Sequence, residues 1–545
     1  MATLPNTVWY VILVVGVGIS VLAVYRLSRP AGKWGRRVRT RLVLGIPWGT
    51  IAVMIVIWGF YLFPQDGLSN PRNPVVLPFR AWSYFYPMGI LTAGIAHAGL
   101  NHVTGNLMGA LVFGSLAEFA WSHFPQRRGS STFASVRTNP FVRIGMFAGV
   151  TLLVSVFTAA FGLGPVIGFS GVVFAFVGVA LVRFPLATIV ATVFSSVVRL
   201  LFDALRSPEF AITVGETTVG RPWWAGVAIQ GHAIGLFVGV VLGVLLCYRR
   251  NRRVSPGLVW LAALIFAVDR GLWAIYLIEG SGEYRLLRAL GVVTVFAVAA
   301  VIALGAVATT RTLVARIELS RREAAFMLLV SILLALSLVA VPFNLFTVDD
   351  PTAGVDETEA VEIEDYTVFY AEDVPNQYVP AIPLPEVGET DGQVNASGVI
   401  VVSEERRIWW EVISATELQV QGSRTVRLGG VTWAETVRAN RTTWMVTGGN
   451  TTYDVKLGTE DPGPVVYRAD PATANVAIDG RGLVVAPTNE GFEIQVTRED
   501  DPIARTPIPG ANETVVAGGL KFERDESVLV ASRGNTSVRV AELEA

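Results

Sequence analysis

Three short clusters hold most of the residues able to do chemistry in the apolar part of this chain. In the first, His97-Ala-Gly-Leu-Asn-His102-Val-Thr-Gly-Asn106, the four-residue spacing of His102 and Asn106 sets them on one helical face, a turn apart. The second is Gly168-Phe-Ser170-Gly171, just after Gly164-Pro165. A serine flanked by glycines where a helix begins has an exposed hydroxyl, and its own N–H is free because the first turn has no intrahelical acceptor. Such a residue can supply both a nucleophile and an oxyanion donor. The third cluster, Gly231-His232-Ala-Ile-Gly235, continues to Gly239 and Gly243. A ladder of glycines four apart lets another helix come very close, which brings the His232 ring within reach of a partner side chain.

Taken singly, each cluster has a plainer explanation. A Gly-x-Ser-Gly in a membrane helix is usually a packing patch, and a lone intramembrane histidine is more often a satisfied polar contact or a proton relay. Together they point to catalysis, since three of the four histidines fall in these clusters. The fourth, His123, belongs to the opposite end of its helix.

The elements that must position these residues are membrane helices. The chain is 52% hydrophobic and 16% charged with a mean hydropathy of +0.51, more apolar residue than a soluble core buries. Apolar runs long enough to cross the bilayer fall at 8–25, 43–63, 102–121, 143–162, 170–184, 186–205, 224–247, 257–277, 288–309 and 324–346. With ten crossings, basic clusters at Arg26 to Arg41, Arg127 to Arg143, Arg249 to Arg253 and Arg311 to Arg322 all face the cytoplasm. The uncharged N-terminus and the loops at 64–86, 163–169, 206–223 and 278–287 then lie outside, and all three clusters share the outer layer. The first run lacks a basic n-region and a cleavage site, so it reads as a retained helix. The single cysteine, Cys247, excludes an intrachain disulfide and any multi-cysteine metal site.

Beyond Phe346 the character changes. Residues 1–348 carry a surplus of about 18 positive charges and the remainder a deficit of about 19. An acidic, Gly/Pro-punctuated stretch opens at Asp349-Asp350-Pro351, followed by alternating runs such as Gly398–Ser403, Thr443–Val446 and Ser527–Ala531 that read as strands. The topology places this β-rich domain outside the cell. It holds all five N-x-S/T sequons, at Asn395, Asn440, Asn450, Asn512 and Asn535. Arginine in place of lysine, with a densely acidic C-terminal part, suggests a high-salt, GC-rich, archaeal source.

The order HxxxxHxxxN, GxSG and GHxxGxxxG, on the second, fourth and sixth helices of a six-helix core, resembles the signature of the rhomboid intramembrane serine proteases. The resemblance implies Ser170 as nucleophile, His232 as general base, and an oxyanion site at His102 and Asn106, with His97 near it. Gly168 and Gly171 flank the serine, Phe174 matches the position where the family sets Tyr or Phe against the catalytic histidine, and Gly235 and Gly239 form the packing ladder. The first loop reads Leu77-Pro-Phe-Arg80-Ala-Trp82, where rhomboids often carry Trp-Arg.

The expected architecture is therefore a polytopic α-helical membrane protein with a C-terminal soluble β-rich domain. Its parts are an N-terminal helix and basic loop (1–42), a rhomboid-like core (43–248), three additional helices (249–348) and an acidic extracellular domain (349–545). The expected function is a serine endopeptidase of the cell membrane that cuts transmembrane protein substrates near their outer ends by a Ser–His dyad. No cofactor, metal or nucleic acid is called for, and the lipid bilayer is a partner. The alternative is an inactive rhomboid-like scaffold that binds transmembrane clients; intact Ser170, His232, His102 and Asn106 favour the enzyme. A transporter would predict an inverted repeat with paired broken helices, and no such repeat is visible. Asp269-Arg270 reads as an ion pair facing a bundle interior, outside the core.

Overall fold

A computed structural model describes residues 5–28, 33–124, 130–133, 135–206, 228–250, 254–280, 283–314, 318–348, 359–381, 395–499 and 501–544. All of the expected loop at 206–223 but Arg206, parts of all four basic clusters (Arg29, Arg127, Arg128, Arg252, Arg253, Arg316) and Asp349-Asp350-Pro351 lie outside the described residues. The chain divides into two compact units, Met1–Leu345 and Phe346–Ala545.

In the first unit a helix lies in each of the ten apolar runs: Asn6–Ser28, Trp48–Leu62, Leu100–Trp121, Pro140–Ala160, Ser170–Arg183, Pro185–Arg206, Ile229–Arg249, Pro256–Asp269, Arg288–Val307 and Arg321–Asn344. Six of them are long and apolar enough to cross a membrane, judged on the described residues. Shorter apolar stretches are Trp48–Leu62, Ser170–Arg183, Pro185–Ser195 and Pro256–Asp269. Local chemistry sets the boundaries. Asn139 caps Pro140–Ala160 by accepting from Phe141 N–H at 2.9 Å, and Pro140 occupies a first-turn position where no N–H is needed. Ser320 and Glu323 form a reciprocal capping box at the start of Arg321–Asn344.

Two boundaries differ from the hydropathy pattern. The run beginning at residue 43 makes only a short 3-10 turn at Val43–Gly45 and becomes α-helical at Trp48, because Leu44 and Gly45 take positive φ and Pro47 stands immediately before the helix. The run 257–277 stops being helical at Asp269, where Gly271 turns with φ +68°, and Tyr276–Gly280 then pairs antiparallel with Glu283–Leu286. Hydropathy measures apolarity, and the apolar residues after Asp269 serve a turn and a hairpin as well as they would a helix.

The serine helix (Ser170–Arg183) is the centre of the unit, with Val177, Ala180, Leu181 and Val182 fully buried. It packs along the histidine helix (Ile229–Arg249) backbone to backbone. A Cβ added to Gly235 lands 2.0 Å from the Gly171 carbonyl oxygen, one on Gly239 lands 1.9 Å from Ala175 O, and one on Gly178 lands 2.3 Å from Leu236 O. Only glycine admits this approach. At the other end of Leu100–Trp121, buried Glu118 accepts from Gly49 N–H (2.7 Å), Thr50 N–H and Thr50 Oγ1 (both 2.8 Å). His123 Nδ1 accepts from Val43 N–H, so its Nε2 carries the proton that meets Glu118 at 2.6 Å. His123 thus ties helix ends together, far along its helix from His102.

The second unit is β-rich. One antiparallel sheet runs Ile408–Ser414, Asn395–Ser403, Tyr366–Pro375, Val361–Ile363; a second runs Ala472–Ile478, Arg481–Thr488, Gly491–Arg498, Asp501–Pro507. A larger sheet centres on Ala434–Val446, Thr451–Gly458 and Thr536–Leu543. Alternation along Ala472–Ile478 and Leu520–Asp525 buries every second residue over a core containing Leu483, Ile494, Phe522 and Val540. Asn395, Asn450, Asn512 and Asn535 are exposed, while Asn440 is half-buried within a strand and accepts from Ser423 Oγ at 2.6 Å.

Candidate active site

Ser170 is the first residue of its helix, so its N–H has no intrahelical acceptor. The close glycine contact just described falls at Gly171 and Gly235, beside Ser170 and one turn after His232. Its result is a contact of 2.8 Å between His232 Nε2 and Ser170 Oγ. Phe174, one turn along the serine helix, stacks flat on the imidazole with centroids 4.2 Å apart and planes 9° from parallel. Phe266, from Pro256–Asp269, meets the edge of Phe174 at 5.1 Å and fixes it in turn. His232 Nδ1 is buried and has no hydrogen-bond partner among the described residues, so no carboxylate orients the ring there. Packing does that work.

His102 and Asn106 lie beside the same serine. His102 Nδ1 accepts from Ala98 N–H at 3.4 Å, which leaves the proton on Nε2 as a donor. Gly168 brings the chain onto these two side chains: a Cβ on it would stand 2.7 Å from His102 Nε2 and 3.4 Å from Asn106 Nδ2, and its φ is +114°. Asn106 Nδ2 is buried without a partner among the described residues, a donor left open toward the site. The side-chain N–H groups of His102 and Asn106, from one helix face, thus line the same cavity as Ser170. A cavity of about 500 Å³ opens on Ser170, His232, His102, Asn106 and Phe174.

His97 is placed differently from His102 and Asn106. It is fully buried, with Nε2 accepting from Phe169 N–H at 3.4 Å and Nδ1 meeting Ile95 O at 3.2 Å. Both nitrogens are engaged, so it supports the site by holding Phe169 and standing edge-on to His102 at 5.1 Å. Gln65 holds His97 in turn, accepting from its N–H and donating to its carbonyl, both at 2.8 Å. Arg80 contacts the serine loop through Nη1 to Pro165 O at 3.4 Å.

The family model for the rhomboid domain matches residues 78–249. This stretch is a rhomboid domain. Rhomboids are generally intramembrane serine proteases, and the match takes in the histidine, serine and glycine-ladder clusters together. No curated protein and no solved structure matches the chain. Among the described residues no group of three or more His, Cys, Asp or Glu side chains is placed to hold a metal.

The sequence shows Asp269-Arg270 as a pair but not its place at the cavity, and it does not single out Gln230 or Asn344. The Asp269–Arg270 ion pair (2.9 Å) lies on the wall of the cavity that holds Ser170, although its helix lies outside the rhomboid domain, and Arg270 Nη2 donates to Ser195 Oγ at 2.9 Å. Gln230 and Asn344 bind the turn before the serine. Each is a lone amide in an apolar run, and the cost of burying a polar group there was the signal available.

Proposed function

We propose that the protein is an intramembrane serine endopeptidase that cuts transmembrane segments of membrane proteins near their outer ends. The observation that carries this is the 2.8 Å contact of Ser170 Oγ with His232 Nε2 on a cavity lined by His102 and Asn106. His232 Nε2 takes the Ser170 proton as Oγ attacks the peptide carbonyl carbon. The oxyanion that forms accepts hydrogen bonds from the Ser170 N–H, His102 Nε2–H and Asn106 Nδ2–H, donors already aimed and not needing to reorganise. The imidazolium gives its proton to the leaving amine, which departs and leaves an acyl-serine. Water then attacks that ester, losing its proton to Nε2, and Ser170 is regenerated. With Nδ1 unpaired, the ring is held by the Phe174 stack and by the glycine contacts rather than by an acid. An intact helix hides its peptide bonds, so the substrate must unwind at the cut site.

The chain is read as crossing the bilayer ten times, with the serine end of the domain and the acidic β-rich unit outside. The partition into 1–42, 43–248, 249–348 and 349–545 belongs to the same reading, as do the four exposed sequons as glycan acceptors. Incubation of the purified protein, at high salt, with a labelled transmembrane substrate tests the chemistry. Wild type is expected to cut it and Ser170→Ala to leave it intact; if neither cuts, or a fluorophosphonate labels both equally, the protease reading fails. Protease accessibility of residues after 349 from the cytoplasmic side would sink the topology.

A further inference from the structure

The turn that delivers Ser170 is held by two amide side chains that belong to different helices. Gln230, two residues before His232, donates through Nε2 to Phe161 O (2.9 Å) and to Leu336 O of the final helix (2.7 Å), and accepts from Leu163 N–H (2.9 Å). Asn344, at the end of that final helix and 4% exposed, donates through Nδ2 to Gly162 O (2.7 Å) and Ala160 O (3.4 Å). Its Oδ1 accepts from Gly164 N–H at 3.3 Å. The backbone carbonyl of the same residue accepts from Tyr84 N–H (2.9 Å) and Ser83 Oγ (3.3 Å), while Tyr84 OH donates to Ala160 O (2.8 Å). One residue of a helix outside the rhomboid domain thus grips both the serine turn and the loop at residues 83–84.

These bonds matter because the turn is irregular backbone. A stretch of irregular backbone in an apolar surround must find partners for its N–H and C=O groups, since an unmet group is costly in hydrocarbon. Downstream of the amides, Val166 O accepts from Ala81 N–H (3.1 Å) and Gly168 N–H donates to Ala93 O (2.8 Å), so positions 160–168 form one continuous tether to Ser170. A displacement at Gly162 is passed along that tether to the serine.

We propose that Asn344 is a positioning residue of the catalytic serine, so that the final helix Arg321–Asn344 is a working part of the protease and not an appendage to the rhomboid domain. The inference rests on the protease reading above. Asn344 touches no reacting atom; it sets where Ser170 Oγ stands relative to His232 Nε2 and the oxyanion donors. An error of about 1 Å in such a placement costs on the order of 100-fold in rate.

The test uses the full chain with Asn344→Ala and the isosteric Asn344→Asp, which removes both donors while keeping an acceptor for Gly164 N–H. Ser337→Ala, on the same helix and, among the described residues, bonded only within it to Leu333 O at 2.8 Å, is the control. Two rates are measured: fluorophosphonate labelling of Ser170, and cleavage of a transmembrane substrate resolved into kcat and KM. Expected are at least tenfold slower labelling and a kcat lowered by a similar factor with KM unchanged, in Asn344→Asp and in Asn344→Ala where that variant folds, with Ser337→Ala like wild type. Labelling and kcat at wild-type levels in a folded Asn344 variant overturn the proposal, as does a loss confined to KM. Wild type that is not labelled at Ser170 at all overturns the protease reading instead.

Discussion

Replacing Gly235 with alanine puts the glycine contact to a quantitative test. In a helix interior the exchange should stabilise by about 1 kcal/mol, since alanine has the better propensity. Here the new Cβ falls 2.0 Å from the Gly171 carbonyl oxygen, whereas real Cβ contacts do not go below 3.0 Å. The two helices must separate by about 1 Å, and the obstacle is backbone that no rotamer change can clear. Added to the Ser170–His232 distance of 2.8 Å, that retreat carries the pair beyond the roughly 3.2 Å limit of a good hydrogen bond. A misplacement of that size corresponds to a rate loss of about 100-fold, or about 2.7 kcal/mol of barrier. The assay is the second-order rate of fluorophosphonate labelling at Ser170, with unfolding followed in parallel. Gly145→Ala, where an added Cβ meets nothing within 4 Å, is the matched control and should label normally. Labelling of Gly235→Ala within threefold of wild type, in a folded protein, would refute the claim that backbone contact sets the dyad.

Three further outcomes are expected. Gly168→Ala combines a φ of +114° with a Cβ 2.6 Å from the His102 ring, so it should cost about 1–3 kcal/mol of stability and depress kcat more than KM; an unchanged kcat counts against His102 as an oxyanion donor. In the β-rich unit, burial pushes the Asp365 carboxyl up, but hydrogen bonds from Arg406 (2.5 and 2.7 Å) and Ser403 (2.7 Å) outweigh it and hold the group below its ordinary 3.8. A depressed carboxyl stabilises above the unfolded value and loses that contribution as pH falls through the folded one, so Asp365→Asn should destabilise at pH 7, by less as pH falls below the ordinary carboxylate range, read by calorimetry. Asp454 is fully buried and burial pushes its carboxyl up, the opposite case: the unfolded chain ionises first, and stability falls as pH rises above about 4. Asp454→Asn should raise the unfolding midpoint of that unit at pH 7 and leave it unchanged at pH 3; a lowered midpoint at pH 7 shows that the charged form has a role.

The clusters around Ser170, His232 and His102 were legible because each combines an expensive intramembrane group with glycines at a helical period, and the family match covers all three. The glycine period also announced a close approach, since nothing but helix contact explains small residues at every fourth position of the histidine helix. Asn344 and Gln230 were not legible in that way. A single amide in an apolar run carries no period, and its partners are backbone groups more than 60 residues away whose identity leaves no mark on sequence. Asp269-Arg270 was visible as a pair, but its place on the cavity wall depends on how Pro256–Asp269 packs against neighbouring helices, which hydropathy does not encode. His97 was legible as part of a motif, yet its two engaged nitrogens separate it from His102 only once Phe169 and Ile95 are placed.

The brace at Asn344 also bears on timing. Ser170 and His232 leave the ribosome before the final helix does, and at ordinary elongation rates of about 5–20 residues per second the amide that closes the serine turn follows His232 by roughly 10 s. During that interval the nascent chain has Ser170 and His232 but lacks the hydrogen bonds from Asn344 to Gly162 and from Gln230 to Leu336. On the proposed reading, a protease assembled in this order works at a reduced rate while it is being inserted beside other unfinished membrane chains, and reaches its full rate only when its last helix has joined the bundle.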